Sequence, residues 1–176
     1  MTLEDKIKAI YPFVDRDTVY VLHPKCSQFI ADEFVVILQT MGVWALAGYT
    51  VSIHNVLAPF ILALGILLAI YLLYRYIYLT HTTYTITAEQ IKYESGIFST
   101  KKDFIELYRV VDYSEQRSFF QILFELKTVS IYSGDHTCPR LDLKGIDSHF
   151  KMVAIIRLRS EVNKQKRNIH ELTNTK

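Results

Sequence analysis

The chain has 176 residues, 50% of them hydrophobic and 22% charged, with a formal net charge of +2. That length has room for one ordinary domain plus a small extra element. Basic residues dominate only in residues 148–176, with seven Lys and Arg against two Asp and Glu, so nothing favours a nucleic-acid partner.

Residues 1–33 read as a cytoplasmic N-terminal segment. The opening MTLEDKIKAIYPFVDRD mixes both charges and lacks the basic, apolar, small-residue order of a signal peptide and any lipidation motif. Between Glu33 and Arg75 no residue is charged. As one helix, residues 34–74 would extend about 60 Å at 1.5 Å per residue, twice a hydrocarbon core of about 30 Å. One span is excluded on length and two fit, with the polar pair His54-Asn55 as the break. Residues 34–53 and 56–78 then form a transmembrane helical hairpin. Asn55 caps its second helix, and Pro59 lies in the first turn, where a missing N–H breaks no helical bond. A chain this short cannot bury two helices that are apolar on every face.

Gly65 and Ala69 form a small-xxx-small pair, and Gly42, Ala45 and Gly48 line the first helix, suited to packing within the hairpin or against another subunit. No ionisable residue falls in mid-span, so a proton relay or ion pathway has no residues to use. The connecting loop carries no Lys or Arg, whereas the flanks carry Arg16, Lys25, Arg75 and Lys92, which places both termini in the cytoplasm. Tyr71, Tyr74, Tyr76 and Tyr78 gather around Arg75 as an interfacial girdle; Trp44 lies too near the middle of its span for that role.

From His81 the apolar period changes from 3.6 to 2. Strands are expected at TTYTIT (82–87), QIKYES (90–95), FIELYRVVDYSEQ (104–116, bent near Arg109), KTVSIYS (127–133) and CPRLDLKG (138–145). Pro139 marks the last as an edge strand. SFFQILF (118–124) reads as one helical turn capped by Ser118, either plugging the β-domain or meeting lipid or a partner. A final helix is expected from Asp147 or Ser148, apolar at first (Phe150, Met152, Val153, Ile155, Ile156) and basic later (Arg157, Arg159, Lys164, Lys166, Arg167). Its basic part suits anionic headgroups, at about 1 kcal/mol per basic group near the surface. Residues 79–166 make one domain and 167–176 a flexible basic tail.

In order, VYVLHP (19–24), the hairpin, EQIKYESGIFSTKKDFIELYRVVDYSEQRSFFQILF, TVSIYS and LKGID resemble the bacterial membrane-anchored pleckstrin-homology-like proteins of the bPH2 type. The resemblance covers most of residues 19–157 and rests on Gly96-Ile97-Phe98 and Leu107 to Asp112. It departs at Glu125 and Lys127, where the family usually carries glycines. It implies an α+β membrane protein, with a two-helix transmembrane hairpin and a PH-like β-barrel of about seven strands closed by a C-terminal helix. It also implies a scaffolding role toward proteins, lipids or further copies rather than one activity.

The chemistry agrees with a non-enzymatic reading. No phosphate loop, nucleophile elbow or shielded carboxylate pair is recognisable, and no cofactor is expected. His136-Thr137-Cys138 is too sparse for zinc, and Cys26 and Cys138 show no disulfide framework. Lys101 and Lys102 follow Lys92 as in phosphoinositide-binding hairpins, but Asp103 and Phe104 interrupt the pattern. Arg109 is expected to pair with Asp112. The residues expected to meet lipid or a partner are Lys101, Lys102, Arg109, Phe119, Phe120, Arg157 and Arg159. The sequence thus points to a multi-pass protein of the bacterial inner membrane that presents a cytoplasmic scaffold or adaptor domain to a membrane protein partner or to a second copy. The alternative is a lipid-headgroup-recognising module.

Overall fold

The structure is a computed structural model in which residues 18–53, 56–135 and 137–167 are described. A short strand, β1 (Tyr20–Leu22), leads into two long apolar helices, α1 (Ser27–Ser52) and α2 (Ala58–Thr80). Both are long and apolar enough to cross a membrane, and most of their side chains are left open rather than buried. α1 begins at Ser27, so Asp32 and Glu33 belong to the helix and precede its uncharged part. Pro59 lies in the first turn of α2 as expected, whereas the expected Asn55 cap lies outside the described residues.

The helices pack along their length. Gly65 leaves a place for Trp44, whose indole lies 3.3 Å from where a Cβ would sit, whereas Gly42 and Gly48 face open space. The small-residue pattern at Gly65 thus serves the hairpin itself. Thr40 and Thr50 donate back to the carbonyls of Val36 and Leu46, so these hydroxyls expose no unpaired donor on an apolar surface.

Among the described residues the β-domain has seven strands: β1, β2 (Thr83–Ile86), β3 (Gln90–Ser95), β4 (Lys101–Glu106), β5 (Val110–Gln116), β6 (Leu126–Ser133) and β7 (Arg140–Asp147). They form two antiparallel sheets, ordered β1-β2-β3-β4 and β5-β6-β7. The expected single strand over 104–116 is divided. A 3-10 turn at Leu107–Arg109 ends β4, and an irregularity between Val110 and Asp112 starts β5. These breaks interrupt the hydrogen-bond ladder, so the sheets join through a corner rather than as the closed barrel the resemblance implied. They share one core, in which Ile86, Ile91, Ile105, Leu107, Val129, Ile131 and Leu143 are wholly buried.

α3 (Phe119–Leu123) carries the Ser118 capping box, completed by Gln121. α4 (Met152–Lys166) starts later than expected, because Asp147 ends β7 and its carboxylate accepts from the His149 amide. α4 closes the end of the domain away from the long helices: Ser160 donates to the carbonyl of Leu107 and Asn163 to that of Ala88.

Glu125 has φ 54°, the left-handed conformation in which a glycine is the natural occupant. The departure noted in the sequence therefore keeps the backbone shape. Lys127 is buried and donates to Glu115 at 2.8 Å.

Candidate functional site

The ends of the sheets nearest the long helices create a concave feature. β1 feeds α1, and α2 feeds β2 through His81 and Thr82, so the helix bases stand directly over the first sheet. Register places Leu22, Tyr84, Tyr93 and Asp103 side by side across β1, β2, β3 and β4. Opposite this row runs β7. It passes the base of α1 so closely at Gly145 (φ 71°) that a Cβ there would stand 3.0 Å from those of Pro24 and Gln28. The Lys25 amide donates to the Gly145 carbonyl at 3.0 Å, and the Lys25 ammonium pairs with Asp147.

Between them opens a cleft of about 320 Å³. Its roof is Phe29, Asp32 and Glu33 of α1 with Arg75 and Tyr78 of α2; its walls include Tyr93, Asp103, Arg140, Asp142 and Lys144. Glu33 is the last charged residue before the uncharged run and Arg75 the first after it, and the two form an ion pair. Arg140 pairs with Asp142 at 2.8 Å, and Ser130 donates to the same carboxylate at 2.7 Å. Burial pushes the Asp142 carboxyl up, but those two partners outweigh it and hold it below the usual carboxylate range. Asp32 accepts from Gln28 at 2.7 Å and has no cation in salt-bridge contact among the described residues. Tyr84 stacks on Tyr93 at 5.7 Å, and burial raises both phenols, so both stay protonated hydrogen-bond groups.

The residues expected to bind are dispersed. Lys101 pairs with Asp103 at 2.8 Å and Lys102 with Glu94 across the hairpin at 3.1 Å, so each ammonium at this tip has a carboxylate beside it. Arg109 does not pair with Asp112. It lies 3.3 Å from Asp135 and 3.5 Å from Glu106, while Asp112 accepts from the amide of Tyr113. The corner at Leu107–Arg109 turns the guanidinium toward the β6–β7 loop. Phe119 is exposed, and Phe120 packs on Phe34 with centroids 4.3 Å apart. Gln121 fixes this turn by donating to Gln28 on α1 and to Thr128 on β6. Arg157 is exposed and paired with Glu161.

Arg159 overturns its sequence reading. It is only 3% exposed and donates to the carbonyls of Ile86, Thr87 and Thr18, with its guanidinium 5.0 Å from the ring centroid of Tyr20. It faces inward because α4 caps the turn between β2 and β3, whose carbonyls need donors. It is a structural clamp and takes no part in a lipid-facing stripe.

The cleft residues were missed by sequence reasoning. Their one legible signal was that Glu33 and Arg75 bracket the uncharged run. Among the described residues no cluster of His, Cys, Asp and Glu fits a metal ion.

Two antiparallel sheets sharing one core, capped by a C-terminal helix and preceded by two apolar helices, define an α+β protein. The family model of the bacterial PH domain matches residues 34–160, and the chain belongs to that family. No curated protein and no solved structure matches the chain. The matched region takes in α1 from Phe34, all of α2, β2 to β7 and α4 as far as Ser160, and leaves out β1 and the base of α1.

Proposed function

We propose that this protein is a non-enzymatic scaffold of the bacterial inner membrane. Its helical hairpin spans the bilayer with both termini in the cytoplasm, and its PH-like domain is held directly against the inner surface to meet a protein partner or a second copy. The observation that carries this reading is the way the domain is built onto the helix bases. β1 joins α1 through only residues 23–26 and α2 joins β2 through only His81 and Thr82, and α3 is locked to α1 through Phe34–Phe120 and Gln28–Gln121. Such a domain has one fixed orientation toward the bilayer, and confinement to two dimensions raises its effective concentration, so weak contacts suffice.

The contact surfaces are those left unsatisfied by the fold. Phe119, Ile122 and Leu123 are exposed on α3, and Val111 is exposed on β5, an edge strand beside a bulge. Phe98, 94% exposed, stands at the β3–β4 tip on the side of the helix bases, where Tyr78 donates to Ser95. Extraction in mild detergent followed by affinity purification tests the reading. Co-purification of a stoichiometric partner, or a dimer by cross-linking, is expected and is lost with Val111→Glu. A clean monomer with no partner overturns it.

A further inference from the structure

We propose that the cleft under the helix bases is a binding site for a phosphoethanolamine-type zwitterion, a primary ammonium next to a phosphodiester, as carried by an aminophospholipid headgroup. This rests on the reading that α1 and α2 span a bilayer. On that reading the ion pair of Glu33 and Arg75 marks the edge of the hydrocarbon, and the cleft begins at that pair, at the depth of the headgroups.

The lining matches both halves of such a group. A primary ammonium needs hydrogen-bond acceptors and is attracted to aromatic faces. Asp32 supplies an acceptor with no cation in salt-bridge contact among the described residues, Asp103 a second through the oxygen that Lys101 does not hold, and Phe29 and Tyr93 the aromatic faces. A phosphodiester needs cations and finds Arg75, Arg140 and Lys144 on the same lining. The volume of about 320 Å³ falls at the small end of ligand sites, enough for a headgroup but not for acyl chains, which would lie along the apolar surface of the helices. An anionic headgroup without an amine would leave Asp32 and Asp103 facing phosphate, which is why a simple anion site is disfavoured. Lys101 and Lys102 of the basic hairpin tip are not on this lining.

Native mass spectrometry of the full chain in detergent tests this, with phosphatidylethanolamine, phosphatidylcholine and phosphatidylglycerol titrated separately. About tenfold tighter binding of phosphatidylethanolamine than of either other lipid is expected, the worth of one charge-assisted hydrogen bond. Asp32→Asn should bring the three lipids close to parity, while Glu161→Gln, far from the cleft on α4, should leave the preference unchanged. Asp103→Asn on the opposite wall gives the same readout should Asp32→Asn fail to fold. Water-soluble glycerophosphoethanolamine should compete in the same assay, which separates the headgroup chemistry from the bilayer. Equal binding of all three lipids overturns the proposal. So does phosphatidylcholine binding as well as phosphatidylethanolamine, or a preference that survives both carboxylate changes. Alkaline extraction of native membranes examines the spanning reading separately: release of the chain would refute the spans, while competition by the soluble headgroup would still report on the cleft.

Discussion

Arg159 offers the sharpest test of the fold, because sequence and structure assign it opposite environments. Changing it to Ala removes donors from the carbonyls of Ile86 (3.1 Å), Thr87 (2.9 Å) and Thr18 (2.6 Å). Hydrogen bonds from a charged donor contribute about 1.5–3 kcal/mol each, and an orphaned buried carbonyl costs about 1–3 kcal/mol. The three do not add in full, since the bonds to Thr87 and Thr18 are only part-buried and water can reach those oxygens. A loss of about 3–5 kcal/mol follows, comparable to removing one side of a buried ionic contact. At about 2–4 °C per kcal/mol for a folding unit of this size, the melting temperature should fall by at least about 6 °C. Cys138 can serve as a reporter: it is buried and burial raises its thiol pKa, so its labelling should speed up as the domain opens. Thermal unfolding of Cys26→Ser protein in detergent, followed with a thiol-reactive fluorophore, gives the midpoint. Arg157→Ala serves as the control, because its exposed pair with Glu161 is worth only about 0.5 kcal/mol or less. A shift under about 2 °C for Arg159→Ala, or equal shifts for the two arginines, would refute the buried clamp and return Arg159 to the surface.

Three further outcomes are expected. Glu125→Gly should raise stability by about 0.5–1 kcal/mol in the same assay, because φ 54° strains a side chain and not a glycine; a loss would mean that the Glu125 side chain outweighs the strain. Asp142 and Asp147 have carboxyls held below their ordinary value, Asp142 by Ser130 and Arg140 against burial, Asp147 by Lys25. Their folded pKa lies below the unfolded one, so their contribution is present above about pH 4 and is lost as pH falls through the folded value; Asp142→Asn should flatten that acid limb in a pH series of melting temperatures, and an unchanged limb would contradict the assignment. Phe98→Trp, read as the emission difference from the parent protein with Trp44 kept in place, reports on the β3–β4 tip. Blue-shifted emission quenched by lipids brominated near the headgroup is expected in nanodiscs, whereas water-like emission quenched by iodide would put the tip away from the bilayer.

Periodicity located β2, β3, β6 and most of β7, but it missed β1 and ran β4 and β5 together. The alternation in QIKYES places β3 at Gln90–Ser95, and Ser118 with Gln121 caps α3 as its spacing implied. Two features were illegible for a physical reason. The corner at Leu107–Arg109 interrupts a run whose apolar residues keep nearly the same alternation on both sides, so the pattern does not register that the chain changes sheets. Arg159 belongs to a sequence of basic residues that looks solvated on a helix end; only the turn at Ile86 and Thr87, more than seventy positions away, shows that its side chain has carbonyls to satisfy. The cleft is illegible for the same reason, since its lining comes from α1, α2, three strands of one sheet and β7 of the other.

The most consequential of these long-range contacts joins the two flanks of the hairpin. Tyr20, Val21 and Leu22 pair with Ile86, Thr85 and Tyr84, and every residue of α1 and α2 lies between them in the chain. A loop of that length is costly to close from a disordered state, and the cost is met only if the helices already stand side by side. The packing of Trp44 against Gly65 brings them there, and the ion pair of Glu33 with Arg75 aligns their bases. Closing the hairpin therefore delivers β1 to the edge of β2, and with it the Thr18 carbonyl to Arg159. The N-terminal flank, which reads as a separate segment before the helices, is in this way a strand of the domain that follows them. The helices and the β-domain consequently share one folding problem: loosening the hairpin at Gly65 removes an edge strand and part of the Arg159 clamp at a distance, without touching either.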